Sequence, residues 1–171
     1  MDSQAKLLVV GYGNTLRRDD GAGVKVAELL EEMQLPGVEV LILQQLVPEL
    51  AEPVAKAQGV VFVDAADTKS EEPVLAEVKP SMASRIFAHA SDPGSILALA
   101  GLLYGASPKA WSLAVPAHDF GYGDGISART MRGVPPATRL LRKLAAEFIQ
   151  QRDNCGAGLC NQGQANGTGA C

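Results

Sequence analysis

The chain is short of basic residues and aromatic residues, and it has no long apolar run. Its 15 Lys and Arg are outnumbered by 19 Asp and Glu, which gives a formal net charge of -4. Such a chain lacks the basic surface that binds a nucleic-acid backbone. No apolar stretch approaches the roughly 20 residues that span a bilayer, and the first residues do not resemble a secretory signal. We therefore expect a cytoplasmic protein that binds neither nucleic acid nor membrane.

Cysteine is absent before Cys155, and the only others are Cys160 and Cys171. This distribution argues against a disulfide framework through the domain. The segment 153–171 is rich in Gly, Asn and Gln, a composition that does not support a packed core. It predicts a flexible tail after a single domain at residues 1–152. The alternative is a weak soft-metal site formed by the three thiolates.

Strand patterns and helix patterns alternate along the chain. Short apolar or β-branched runs predict five strands, and helical spacing is found between them. The alternation favours an α/β fold, a single-domain three-layer α/β/α sandwich with a twisted, mostly parallel five-stranded sheet. The predicted strands are Leu7–Val10, Val38–Leu43, Val60–Asp64, Val74–Val78 and Trp111–Val115, the fourth at an edge. The last predicted helix is Pro136–Arg152.

The most informative segment is Gly11–Gly23, which reads GYGNTLRRDDGAG. It joins the first predicted strand to a helix, the position where α/β proteins bind ligands. Turns that bind nucleotides have small residues that are neutral or basic at this position. In this chain two adjacent carboxylates, Asp19 and Asp20, stand at the start of the helix instead.

Three metal-binding side chains are expected at one edge of the sheet. Asp20 follows the first strand and Asp64 ends the third, and these strands are neighbours in doubly wound sheets. His89 precedes the next helix. Two carboxylates and an imidazole suit a divalent transition metal. Each residue also has an ordinary alternative: a helix cap for Asp20, an acceptor of loop amides for Asp64, and an exposed loop position for His89.

Other catalytic and binding motifs are incomplete. A dinucleotide fingerprint needs a small residue where Leu16 stands and an acidic residue where Leu43 and Gln44 stand. The Gly-Lys-Ser/Thr ending of a P-loop is absent, as is the G-x-S-x-G elbow of serine hydrolases. The tail cysteines have no histidine nearby, which argues against a thiol protease.

Residues 6–152 resemble the hydrogenase maturation proteases, endopeptidases that remove a C-terminal extension from the large subunit of nickel-iron hydrogenases. The pattern G-x-G-N-x-L-x-x-D-[DE]-x-x-G of that family is met by Gly11–Gly23. A second feature of the family is an apolar strand that ends in Asp-Ala, which corresponds to Val60–Ala65. A third is a histidine before a helix, which corresponds to His89. The turn after that helix is met by Leu103–Pro108.

The resemblance implies that Asp20, Asp64 and His89 bind metal. The implied ion is Ni²⁺ supplied by the substrate precursor, and cadmium or zinc would substitute for it in crystals. Asp20 and Asp64 are also the implied catalytic residues of an aspartyl-type or metal-dependent peptidase. Whether the ion or a carboxylate activates water stays open. Asp19, just before the ligand position, is expected to start the helix or to support the ligands.

One departure from the family concerns the turn after the fifth strand. The family usually has Pro-Glu or a similar pair there, whereas this chain has Pro116-Ala117-His118-Asp119. Two interpretations of His118 stay open. It is either an additional metal ligand or a loop residue that contacts substrate or solvent.

The implied partner is an immature hydrogenase large subunit. The alternative to a peptidase is a non-catalytic nickel-sensing assembly chaperone that uses the same three residues on the same client. A peptidyl-tRNA hydrolase, which shares a Gly-x-Gly-Asn turn, is disfavoured by the acidic pair and by the lack of a basic face. No helix is predicted to expose an apolar face, so we expect a monomer.

Overall fold

A computed structural model describes residues 7–81 and 92–157. The strands are β1 (Leu7–Tyr12), β2 (Val38–Leu43), β3 (Gly59–Asp67), β4 (Val74–Val78) and β5 (Lys109–Ala117). The helices are α1 (Ala22–Glu32), α2 (Ala51–Lys56), α3 (Pro93–Tyr104), α4 (Ala128–Met131) and α5 (Val134–Ala157). Two 3-10 turns, Arg18–Gly21 and Pro48–Leu50, lead into α1 and α2.

The five strands form one sheet in the order β2-β1-β3-β5-β4. Strands β2, β1, β3 and β5 are parallel, and β4 is an antiparallel edge strand on β5. This architecture confirms the predicted α/β fold and its edge strand. Because the chain leaves β1 toward β2 on one side and β3 lies on the other, a crevice opens at the carboxyl ends of β1 and β3.

Each face of the sheet buries its own apolar cluster, because side chains alternate along a strand. Leu7 and Val9 of β1 face α1 and α5, which contribute Val26 and Leu141 among others. Leu8 and Val10 point to the other face, where α2 and α3 pack. These central strands are almost wholly buried, which is typical of parallel sheets covered on both sides.

Strand β3 and helix α5 extend beyond their predicted ends. The prediction that β3 ends at Asp64 is wrong. The pairing of β3 with β5 continues to Asp67, which lies opposite Ala117. Asp64 instead lies where β1 stops, since the β1 pairing ends at Val63. Helix α5 passes Arg152 and includes Cys155 in its backbone. Cys160 and Cys171 lie outside the described residues, so the domain boundary and the flexible tail stay predictions.

The last turn of α3 exposes apolar side chains, contrary to the expectation that no helix would do so. Leu102, Leu103 and Tyr104 are 63%, 61% and 50% exposed. The helix that α3 packs against, α2, is only 6 residues long, so the end of α3 extends past it. The exposed end of α3 removes the reason given for expecting a monomer, so the monomeric state stays a prediction. None of the helices in residues 7–81 and 92–157 has the length and hydropathy needed to cross a bilayer.

Candidate active site

Two glycines of the first motif allow the turn after β1 to pack against the sheet. Gly13 has a φ of 145°, and a Cβ there would lie 2.0 Å from the carbonyl oxygen of Asp20. A Cβ on Gly23 would lie 2.5 Å from the carbonyl oxygen of Val63 and 2.9 Å from the Cα of Asp64. Only glycine lets the first turn of α1 approach β3 this closely. The motif thereby brings Asp20 to the part of β3 that carries Asp64.

The Asp20 carboxylate closes the turn through a main-chain hydrogen bond. The amide of Asn14 donates to Asp20 Oδ2 at 2.7 Å, and the side chain of Asn14 accepts from the amide of Leu16 at 3.0 Å. Asp20 is half-buried. The contact fixes the carboxylate on one side, so its position is set by the backbone of the turn.

The Asp64 carboxylate lies close enough to Asp20 for the two charges to interact. Burial raises the pKa of Asp64, and the negative charge of Asp20 raises it further. Hydrogen bonds from the Tyr12 hydroxyl and from the Ala65 amide, at 2.8 Å, oppose this rise without cancelling it. Two carboxylates that interact in this way, one of them with a raised pKa, are suited to share a cation or a proton.

The Tyr12 hydroxyl is part of the site, although the sequence analysis did not identify it. Burial, followed by the charge of Asp64, raises the pKa of Tyr12 well above its ordinary value. The phenol therefore stays protonated and donates to Asp64. The charge of Asp92, the residue that caps α3, also acts on Tyr12. The available signal was position: Tyr12 follows Gly11, which pairs with Val63, and Asp64 follows Val63.

Asp19 turns inward, away from solvent, and has no exposed surface. Its carboxylate accepts five hydrogen bonds from the segment after β5. Oδ2 accepts from the amides of His118 (3.0 Å) and Asp119 (2.8 Å). The Ser127 amide donates to Oδ1 at 2.6 Å, and the Ser127 and Thr130 hydroxyls donate to Oδ2 at 2.9 and 2.7 Å.

These contacts explain the acidity of Asp19. Burial raises the pKa of its carboxyl, but the hydrogen bonds from Ser127, Thr130 and His118 outweigh burial and bring the pKa to about 2. Asp19 thus ties the first motif to residues about 100 positions later. It holds the segment after β5 against the first motif, through partners that the sequence did not indicate.

The third predicted ligand, His89, lies outside the described residues. Within residues 7–81 and 92–157, no three His, Cys, Asp or Glu side chains form a group able to hold a metal ion. His118 forms no such group with Asp20 and Asp64 in this part of the chain, and both interpretations of His118 stay predictions. Its charge acts instead on Glu71, and its amide binds Asp19.

The raised pKa of Asp64 predicts a stability change in the variant Asp64→Asn. The ionised carboxylate is less favourable in the folded chain than in the unfolded chain, so it costs stability above its folded pKa. We expect Asp64→Asn to raise Tm at neutral pH, with the gain disappearing as the pH falls below the ordinary value of 3.8. Thermal unfolding with a chelator present, from pH 3 to pH 8 (roughly the range of carboxyl titration), measures this.

The control for that experiment is Asp67→Asn, the same substitution at an exposed position of the same strand. It should leave Tm unchanged at every pH. A lower Tm for Asp64→Asn at neutral pH would show that the carboxylate stabilises the fold, contrary to this prediction.

No protein-family model and no curated protein sequence matches the chain. Solved structures do match it. The [NiFe] hydrogenase maturation protease HybD from Thermococcus kodakarensis is 27% identical, with a TM-score of 0.65 over 82% of this chain and 99% of that one. The maturation protease HycI from T. kodakarensis KOD1 is 25% identical, with a TM-score of 0.57 over 85% and 93%. The maturating endopeptidase HybD from E. coli, at 22% identity and TM-score 0.63 over 83% and 93%, shows the fold alone.

The chain is therefore a three-layer α/β/α protein with a pair of interacting carboxylates in the crevice at the carboxyl ends of β1 and β3. The fold and the first motif are both similar to those of the same group of proteins. Together they show that the chain is similar to the hydrogenase maturation proteases, as the resemblance of its sequence predicted.

Proposed function

We propose that the protein is an endopeptidase that removes the C-terminal extension from a nickel-loaded precursor of a nickel-iron hydrogenase large subunit. The observation that carries the proposal is the Asp20–Asp64 pair, held in the crevice by main-chain amides. The names of the similar structures, which are hydrogenase maturation proteases and endopeptidases, support the reaction class.

Nickel enters this proposal as part of the substrate. Asp20 and Asp64 would bind the ion that the precursor carries, and His89 would complete the set. Carboxylate and imidazole are suitable ligands for Ni²⁺. The environment of Asp64 supports this role, because a divalent cation between the two carboxylates would favour the ionised form of Asp64, which burial and, to a smaller extent, the charge of Asp20 disfavour. The presence of nickel would then report that the precursor is ready for processing.

The carboxylates also have a role in the bond cleavage. A carboxylate can accept a proton, so Asp64 is suited to deprotonate the attacking water, and that proton passes to the amine that leaves when the peptide bond breaks. The Tyr12 hydroxyl donates to Asp64 and so orients it. The amide of Asn14 orients Asp20 in the same way. Bound nickel would supply polarisation of the scissile carbonyl.

The test is to incubate the protein with nickel-loaded precursor and with nickel-free precursor, and to measure the mass of each product. We expect the loaded precursor to lose a C-terminal peptide and the nickel-free precursor to stay intact. Cleavage of both would contradict the role of nickel but retain the peptidase. An intact loaded precursor in a stable complex with the protein would favour the assembly chaperone.

A further inference from the structure

A cavity of about 410 Å³ is lined in part by Arg18 and Gly21 of the 3-10 turn that carries Asp20. Its apolar lining includes Val24, Ile126 and Met131, and the backbone of Gly21 forms part of its wall. The volume falls in the range of protein ligand sites. Gly21 directly follows Asp20 in the chain, so one residue of the cavity wall is a neighbour of Asp20, while Asp20 and Asp64 are not among the residues that line the cavity.

The walls of the cavity are fixed by Asp19. Ile126 precedes Ser127, and Met131 follows Thr130, and both of these neighbours donate hydrogen bonds to the buried Asp19 carboxylate. The opposite wall belongs to the first motif and to α1. The Asp19 side chain therefore joins the turn that carries Asp20 to the segment that contributes Ile126 and Met131 to the cavity.

The charges around the cavity balance one another. Lys25 pairs with Glu28 at 3.2 Å, and Arg18 pairs with Asp119 at 2.6 Å. Since each cation already has an anionic partner, the rim offers no net attraction to a charged ligand. The favourable interaction that the cavity offers is therefore the burial of an apolar side chain against its apolar lining.

We propose that this cavity is a specificity pocket that takes a large apolar side chain of the precursor polypeptide, in the segment flanking the cleaved bond. The proposal rests on the proposed function, because the cavity wall includes Gly21, the residue after Asp20, and a peptide cleaved at Asp20 and Asp64 would continue past that residue. The occupant is thus an extended peptide whose side chain enters between Val24 and Met131.

The test fills the pocket with Met131→Trp and compares it with Met33→Trp, a matched control. The two methionines are equally exposed, at 39% and 40%, and Met33 follows α1, outside the cavity lining. With nickel-loaded precursor, we expect Met131→Trp to raise KM by about tenfold or more, the loss expected when one aliphatic side chain stays unburied. The expected kcat is unchanged, and Met33→Trp should behave as the wild type.

A second variant tests specificity. Ile126→Ala enlarges the pocket, so the preference among precursors with Ala, Leu or Phe at each position near the cleavage site should shift toward Phe at one position. A change that merely disturbs folding would slow all precursors alike. An unchanged preference together with an unchanged KM for Met131→Trp would overturn the pocket and leave the peptidase intact.

Binding separates failure of the pocket from failure of the proposed function. If the wild type binds the precursor without cleaving it, the dissociation constants of the same variants are compared. Weaker binding of Met131→Trp with normal binding of Met33→Trp would support the pocket even in a non-catalytic protein. Equal binding by both variants would overturn it.

Discussion

Replacement of Asp19 with alanine is expected to lower the free energy of unfolding by about 3–5 kcal/mol, among the largest single-residue effects in this chain. The substitution leaves three main-chain amides and two hydroxyls without their acceptor in a buried site. A buried donor without an acceptor destabilises the folded chain, because in the unfolded chain the same donor forms a hydrogen bond with water. Denaturant unfolding monitored by circular dichroism measures the change.

The effect of Asp19 should depend on pH. Its pKa is about 2 in the folded chain against an ordinary 3.8, so the carboxylate contributes its full stability above about pH 4. That contribution disappears as the pH falls toward 2. The gap in Tm between the wild type and Asp19→Ala should therefore be widest at neutral pH and should narrow in acid.

Asp119→Ala is the control for Asp19→Ala. It removes the adjacent carboxylate, which forms an ion pair with Arg18 on the surface. Pairs of exposed charges contribute little to stability, so we expect a much smaller loss. Equal losses for the two variants would show that the buried hydrogen bonds of Asp19 do not organise this part of the fold.

Replacement of Asp20 or Asp64 with asparagine is expected to reduce precursor processing by at least about a hundredfold. Asparagine keeps the size of the side chain and one acceptor oxygen, so the contacts with Asn14 and Ala65 can persist. It removes the negative charge and the basicity that cation binding and proton transfer require. The rate of C-terminal release, followed by mass spectrometry, measures the loss.

The matched control is Asp67→Asn, which should process precursor at the wild-type rate because Asp67 lies three residues beyond Asp64 on an exposed part of β3. His89→Ala should give a loss comparable to that of Asp20→Asn, which tests the third predicted ligand independently. Normal processing by Asp20→Asn or Asp64→Asn, in a correctly folded protein, would refute the role given to that residue.

Much of the fold was predictable because its signals are local. Strand β2 begins and ends where its β-branched pattern does, and Asp92 caps α3 as its position before Pro93 indicates. The end of β3 was predicted wrongly because it depends on the partner strand. The hydrogen bonds to β5 continue to Asp67, and nothing near Asp64 in the sequence records the length of that partner.

The site was predictable in part for the same reason. The glycines and acidic residues of the first motif lie within 13 consecutive positions, Gly11–Gly23, so their chemistry could be read from one segment. The burial of Asp19 could not, because its partners Ser127 and Thr130 lie more than 100 positions away. Nor could the contact of Tyr12 with Asp64, which exists only once β1 and β3 pair.

The sequence by itself determined the class of fold and the crevice motif, since these depend on hydrophobic period, glycine and charge at fixed spacing, and the roles of Asp20 and Asp64 stay predictions from that motif. The tertiary structure alone decided which carboxylate faces inward, which hydroxyl lies against Asp64, and that residues of the first motif, of α1 and of the segment after β5 line one cavity. Those properties arise from contacts between segments distant along the chain. Burial and hydrogen bonding there depend on how the layers pack, and no short stretch of sequence encodes that packing.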